Sequence, residues 1–345
     1  MADSTRFANV KAIISSDPAR RVIVVSAGGK RHACDYKITD ALYLCHAHLR
    51  YGFSCRKIWE KIRRRVICVR DELQLCTPVE RELDAIYASF GPLTPQDWLV
   101  CRGEYFAARL MADYLGYTFV DAEDWLLFDE NGSVRKEASY AALQKAAEGR
   151  RIVTPGFYGR MPDGSIRTFS RGGSDITGSL AAAALHADVC ENWTDVPGIL
   201  EADPAIVPLA RPIEHLHFDQ LSLLTAAGMQ VLHESAVAPL REKNIPLQIS
   251  STLCPELPGT RISNEERDRD TCAVVAFAGK EAEGRLSALC TPEAAAYICR
   301  EVRQAGIAPV SDLYDGGMLK LVVPQTQYAQ ALLAAYGAGK KMNRK

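Results

Sequence analysis

Nowhere in the 345 residues is there a run approaching the roughly 20 apolar side chains that a membrane-spanning helix requires. The opening stretch MADSTRFANVK has no apolar segment of the kind a secretory leader carries, and none of the eleven cysteines stands in a C-x-x-C pair. These absences argue against a membrane protein, a disulfide framework and a cysteine-bound zinc, so reduced thiols in a cytoplasmic chain are expected. His46 and His48 in CHAH have no partner ligands nearby in sequence, and no metal site is expected there. Charge of one sign is also missing. Lys+Arg 41 against Asp+Glu 42 gives a formal net charge of -1, which provides no global field for nucleic acid or an anionic membrane surface, and neither is expected as a partner. What the chain does have is core material. With 48% hydrophobic residues it can build one large domain plus a smaller one, and it shows no internal repeat or low-complexity segment.

The apolar pattern predicts alternating helices and strands. Phe7, Val10, Ile13 and Ile14 share a helical face, RVIVVSA (21–27) reads as a buried β-branched strand, and a helix begins near Thr39. Residues 51–98 have helical spacing, and the cations of RKIWEKIRRR read as a solvated helix face. A helix over 103–115, a strand at RIVTPGFYG, an Ala-rich helix after SRGGSD, a strand before NWTDV, a helix around QLSLLTAAGMQVL and a strand at IPLQISS follow. This rhythm predicts an α/β fold in which a mostly parallel sheet is sandwiched by helices. Composition changes abruptly at PGTRISNEERDRD. Beyond it a small α+β domain is expected, with strand TCAVVAFAG, helix PEAAAYICREVRQAG, strands IAPVSDLYD and MLKLVVP, and a last helix QYAQALLAAY.

Chemistry concentrates at TFSRGGSDITGS (168–179), directly before the Ala-rich helix. Backbone N–H groups of Gly172, Gly173, Ser174 and Asp175 at a helix start make an anion site, and Arg171 adds a planar fork for a carboxylate or phosphate. Asp175 does not suit a simple phosphate loop. Its presence suggests a zwitterionic ligand, or two ligands meeting, with acids balancing an ammonium or orienting other side chains. Ser26, Gly28, Gly29 and Lys30 follow one strand, and Thr194 and Asp195 follow another, at the carboxyl ends where open α/β sheets collect ligands. Three polar strand ends point to a shared cleft.

Taken together, VIVVSA with KITDAL, RGEYFAARLMADYLG, GFYG with TFSRGGSDITGSLAAAAL, NWTDVPGILEADP, GMQVLHESAV, IPLQISS and PGTRIS resemble the aspartate kinase family of amino-acid kinases, in family order from residue 2 to about 263. The resemblance implies an amino-acid kinase domain over 1–263 and an ACT-like regulatory domain over 270–345, with one clear ACT copy. It also implies transfer of the ATP γ-phosphoryl group to the β-carboxylate of L-aspartate, assisted by Mg²⁺, at the entry to lysine, threonine and methionine synthesis. On this pattern Glu104 pairs with the substrate ammonium and Arg171 with its α-carboxylate, while Ser26, Thr39, Gly173 and Ser174 lie around the substrate. Asp175 holds the catalytic arrangement, and Thr194, Asp195 and Gln230 fall at nucleotide positions. Lysine or threonine as effector and a homodimer are the implied partners.

The family opens with a strand and a Lys-Phe-Gly-Gly loop around the transferring phosphate, whereas MADSTRF matches the helix that follows it. A shortened N-terminus is the expectation, and the alternative is a catalytically impaired homologue that binds amino acids as a regulatory protein. Leu200, Ala205 and Gln230 replace a tyrosine, an arginine and a lysine of the family's nucleotide contacts. Lys30, Arg31 or Lys37 are candidates to compensate.

Overall fold

The computed structural model describes residues 1–170, 172–227, 232, 234–265, 273–277 and 283–342. Its chain forms two compact units, one of Met1–Ala187 with Ser235–Lys243 and the other of Asp188–Glu234 with Asn244–Lys345.

In the first unit, α1 (Ser4–Ser15) starts at Asp3, whose carboxylate accepts from the Arg6 N–H at 2.9 Å, a standard N-cap. The apolar run becomes β1 (Val22–Val25). Five helices follow before the next strand: α2 (Ile38–Arg50), α3 (Arg56–Glu72), α4 (Val79–Ala88), α5 (Gln96–Val100) and α6 (Arg102–Leu115). Simple alternation of strand and helix therefore fails over 38–115. This helical block buries Leu42, Trp59, Ile62, Leu83, Phe106 and Met111 in one core shared with Val25 of β1, and its helices pack mainly on one another around that shared core. Gly116 closes α6 in the left-handed conformation at φ 68°.

After β2 (Thr118–Phe119), α7 (Ala122–Trp125) and α8 (Lys136–Ala147) lead to β3 (Ile152–Pro155). The sheet order is β1-β3-β2 and both pairings are parallel, with Val25 opposite Pro155. The strands thus end together on one edge. The hairpin β4 (Tyr158–Arg160) and β5 (Ile166–Thr168) then delivers the chain to α9 (Gly173–Ala184), whose small residues Ala181, Ala183 and Ala184 are buried.

The second unit starts with β6 (Cys190–Thr194), followed by β7 (His215–His217) and α10 (Phe218–Ala226), the last with a capping box between His217 and Gln220. Helix α11 (Glu234–Glu242) falls almost entirely in the first unit, after which β8 (Leu247–Ser251) and β9 (Thr260–Ser263) complete the sheet β6-β8-β9-β7. The β6–β8 and β7–β9 pairings are parallel, and β8–β9 is antiparallel.

The C-terminal part is an antiparallel sheet, β10 (Ala273–Phe277), β11 (Glu283–Leu289), β12 (Ser311–Asp315) and β13 (Met318–Pro324) in the order β10-β11-β13-β12, with α12 (Pro292–Gln304) and α13 (Tyr328–Met342). Sequence reading overlooks β11. The segment EGRLSAL has no β-branched or aromatic residue, and its central position in the sheet, rather than propensity, makes it a strand.

Candidate active site at the strand ends

Residues 25–28, at the carboxyl end of β1, are the point to which the first unit ties its candidate substrate residues. The Gly156 N–H donates to Val25 O at 2.9 Å, and the Ile38 N–H donates to Gly28 O at 3.1 Å, which places Thr39 in the first turn of α2 beside the strand end. On α6, the Ala27 N–H donates to the Glu104 carboxylate. The approach is close because Gly103 has no side chain: a Cβ there would lie 2.9 Å from Ala27 Cβ. Ser26 is exposed and Thr39 half-buried.

Helix α9 is brought in by a second close approach. A Cβ on Gly156 would sit 2.7 Å from Ser174 Cα, Cβ and Oγ, so only glycine lets Ser174 pack on the end of β3. Gly172 caps α9 in the left-handed region at φ 59°, Gly173 begins the helix, and Asp175 lies half-buried in its first turn. Between these features Phe157 is held at φ 81°, a costly conformation for a bulky side chain. Its N–H donates to Thr177 Oγ1 at 3.0 Å, and that hydroxyl donates to Gly173 O at 2.8 Å, which fixes the strained turn against the helix start. Strain of this kind accumulates where a site must be held in one geometry.

Glu104 is the chemically unusual member of the set. It is 5% exposed, and its Oε2 has no hydrogen-bond partner among the described residues. Burial pushes its carboxyl up from the ordinary 4.5 to about 8, opposed by the Ala27 N–H. A buried carboxylate with one oxygen unmatched is unfavourable in isolation and is well suited to a cation brought by a ligand.

Sequence reading missed two residues that build this end. Arg65, counted with the solvated cations of RKIWEKIRRR, is buried instead. Its Nε and Nη2 donate to Ala2 O at 3.0 and 2.9 Å, its Nη1 donates to Tyr36 O at 3.0 Å, and Nη2 also bonds Gly29 O. Buried Asp35 lies 3.5 Å from Arg65 Nη1 and forms an ion pair with Arg31 at 2.8 Å, an interaction that holds its carboxyl well below the usual range. Together they fix the loop 28–36. A signal was available: Arg65 falls three positions after Ile62 and four before Val69, on the apolar stripe of α3. Arg31 is committed to Asp35, so of the cations considered for nucleotide contact only Lys30 and Lys37 are not tied to this loop's ion pair.

The second unit offers its own strand end. Thr194 closes β6 and Asp195 follows, exposed; the Thr194 hydroxyl donates to Asp195 Oδ1 at 3.3 Å, and the Thr252 N–H and hydroxyl both donate to Thr194 O. Gly198, at φ 123°, passes so close to Thr260 that a Cβ would meet its Oγ1 at 2.7 Å. Arg171 and Gln230 lie outside the described residues. Among the described residues no helix is long and apolar enough to cross a membrane.

Residues 1–251 match the amino acid kinase family, and the chain belongs to that family. It is 35% identical to aspartokinase 3 of Bacillus subtilis over 81% of this chain and 64% of that protein. It is 28% identical to the lysine-sensitive aspartokinase 3 of Escherichia coli over 73% of this chain and 60% of that protein, so it spans somewhat less than two thirds of either relative's length. Its fold is similar to the crystal structure of Clostridium acetobutylicum aspartate kinase, with a TM-score of 0.88, 26% identity and coverage of 98% of this chain and 97% of that one.

Proposed function

We propose that the chain is an aspartate kinase, transferring the γ-phosphoryl group of ATP to the β-carboxylate of L-aspartate to give 4-phospho-L-aspartate. The observation that carries this reading is the buried, half-satisfied carboxylate of Glu104 beside exposed Ser26 at the end of β1. An α-ammonium group supplies the cation that carboxylate lacks, and Arg171 takes the α-carboxylate in a bidentate fork. With both ends of the amino acid held, the side-chain carboxylate is left free as the nucleophile. Ser174 and the N–H groups at the start of α9 face the same small ligand, and Asp175 keeps that helix start in place.

Phosphoryl transfer requires mainly positioning and charge neutralisation, so a site without a covalent nucleophile suits it. Thr194 and Asp195 bind the nucleotide at the end of β6, with Gln230 beyond. Mg²⁺ keeps several waters and is held by phosphates plus one or two carboxylates; exposed Asp195, next to Thr194, is a carboxylate of that kind, and the ion would supply charge neutralisation on the phosphates. The relatives named aspartokinase support the substrate, and the one named lysine-sensitive supports lysine as the effector, with threonine the other candidate. The kinase domain spans 1–263, the ACT-like domain spans 270–345, and the assembly is a homodimer.

The test combines binding with chemistry. With Mg·ATP, L-aspartate yields an acyl phosphate trapped by hydroxylamine once the family's Lys-Phe-Gly-Gly segment is supplied ahead of residue 1. Calorimetry of aspartate binding near neutral pH shows proton release into buffer, because an ammonium partner lowers the Glu104 pKa from about 8. Phosphorylation of glutamate with aspartate ignored, or proton uptake on binding, overturns the assignment.

A further inference from the structure

The chain leaving β6 does not trail into solvent. Gly198 is pressed against Thr260, whose Oγ1 accepts from the Ile199 N–H at 2.9 Å. The Ile213 N–H then donates to Ile199 O at 2.7 Å, and the Glu201 N–H donates to Arg211 O at 2.9 Å, closing 199–213 into a two-armed excursion. At its tip, Asp203 O accepts from the Val207 N–H at 2.8 Å. The tip is not free: Ala202 and Val207 are 4% and 5% exposed and belong to the hydrophobic core built by α12, α13 and the C-terminal sheet. At the base, where Leu200 bridges Pro212, the Glu201 carboxylate accepts from Lys340 Nζ at 2.6 Å and from the Tyr336 hydroxyl at 3.2 Å, both on α13.

Glu201 follows Asp195 by six positions. The short path between them carries the Gly198 pinch, so a shift of Glu201 is passed to the end of β6 with little slack. Lys340 lies in the last turn of α13, where the helix dipole favours a cation.

We propose that Lys340 and Tyr336 are positioning residues for nucleotide binding, acting through Glu201 so that the C-terminal helix sets the geometry of the loop that carries Thr194 and Asp195. This rests on the reading of those two residues as nucleotide contacts. It ties the geometry of that loop to two side chains of α13 and predicts no effect on aspartate binding.

The experiment measures binding of a fluorescent trinitrophenyl-ATP with Mg²⁺, and of L-aspartate by calorimetry, on the full chain. Lys340→Met weakens nucleotide binding about fivefold, the low end of coupling between sites, and leaves aspartate binding within about twofold. Lys340→Arg restores the nucleotide affinity, and hydrogen exchange of the amides over 196–201 accelerates in Lys340→Met alone. Tyr336→Phe, which keeps the ring in the core, moves the nucleotide in the same direction by less. Unchanged nucleotide affinity in a folded Lys340→Met, or equal weakening of both ligands, overturns the proposal. Failure of the unaltered chain to bind nucleotide overturns the functional reading and this proposal with it, an outcome distinct from normal binding that the variants do not disturb.

Discussion

Glu104 and Asp195 are both carboxylates near the carboxyl end of a strand, and their surroundings differ in almost every respect. Glu104 is 5% exposed, its carboxyl is raised by burial, and it meets its strand through the Ala27 N–H. Asp195 is exposed and has the neighbouring Thr194 hydroxyl beside it. Around Glu104 the fit is set by backbone brought close at Gly103 and Gly156 and by a buried guanidinium; around Asp195 it is set by Gly198 against one threonine hydroxyl. A dry, preorganised end suits a small ligand whose own charge must replace water, because electrostatic interactions strengthen as the dielectric falls. A wet end suits a ligand that arrives with its own phosphates, counter-ion and hydration. The contrast can be broken or sharpened by substitution on either side.

The largest effect is expected from Arg65→Met. It removes the donor for the carbonyls of Ala2, Tyr36 and Gly29 and leaves Asp35 with Arg31 alone. Stability in denaturant titration falls by about 3 kcal/mol, the scale for breaking a buried charge pair. Arg65→Lys recovers less than half, because a point charge cannot serve three carbonyls in a planar fork. A loss within about 0.5 kcal/mol would mean that the dry end is not held by its guanidinium.

Glu104→Gln separates function from stability. Aspartate binding weakens about a hundredfold, as when one partner of a buried charge pair is removed, while the fold gains stability because an unmatched buried carboxylate is gone. The pH dependence has a definite sign. With a folded-state pKa of about 8 against an ordinary 4.5, the native state holds a proton that the unfolded chain has released between those values, so the contribution of Glu104 to stability falls as pH rises through that window. Thermal melts of Glu104→Gln lack this fall. If the unaltered protein instead gains stability relative to the variant from pH 5 to 8, the carboxylate is paired and the contrast with Asp195 disappears.

Most of this molecule's architecture is carried by local pattern. β1 is a β-branched run, the Ala-rich α9 follows its glycines, and Thr194 and Asp195 sit where the NWTD turn places them. What escaped is non-local. Arg65 became a buried anchor because α3 packs against the loop after β1, and a charge within a basic run looks solvated unless its phase on the helix is checked. β11 is a strand by virtue of its neighbours β10 and β13 rather than its own residues. The five-helix block after β1 likewise depends on non-local packing, since Trp59 and Phe106 share one core with Val25 of β1 and Val153 of β3. The sequence offers SRGGSD as a candidate site and GFYG as the end of a strand, but the reason for Gly156, clearance for Ser174, is visible only when both segments are placed.

That clearance gives a smaller prediction. Gly156→Ala puts a Cβ 2.7 Å from Ser174 backbone and side chain alike, so helix α9 must shift or β3 must bend. The expected cost is about 1–3 kcal/mol, the range for overpacking, with weaker aspartate binding because Ser174 moves. Gly198→Ala in the second unit combines a clash with Thr260 and a φ of 123°, and it should disturb nucleotide binding rather than aspartate binding. If both variants weaken the same ligand, the two strand ends do not divide the substrates between them.

Asp195→Asn is expected to change least. The side chain is exposed, so stability stays within about 0.5 kcal/mol, as for most surface substitutions. Mg·ATP binding weakens about threefold, within the range of exposed charge interactions. Because the group is in water, raising the salt concentration narrows the difference between Asp195 and its amide, whereas the same salt leaves the Glu104→Gln effect on aspartate nearly intact. Equilibrium binding at low and high salt measures both slopes. A hundredfold loss at Asp195 that persists in high salt would show a desolvated carboxylate at each end, and the division into a dry amino-acid end and a wet nucleotide end would have to be abandoned.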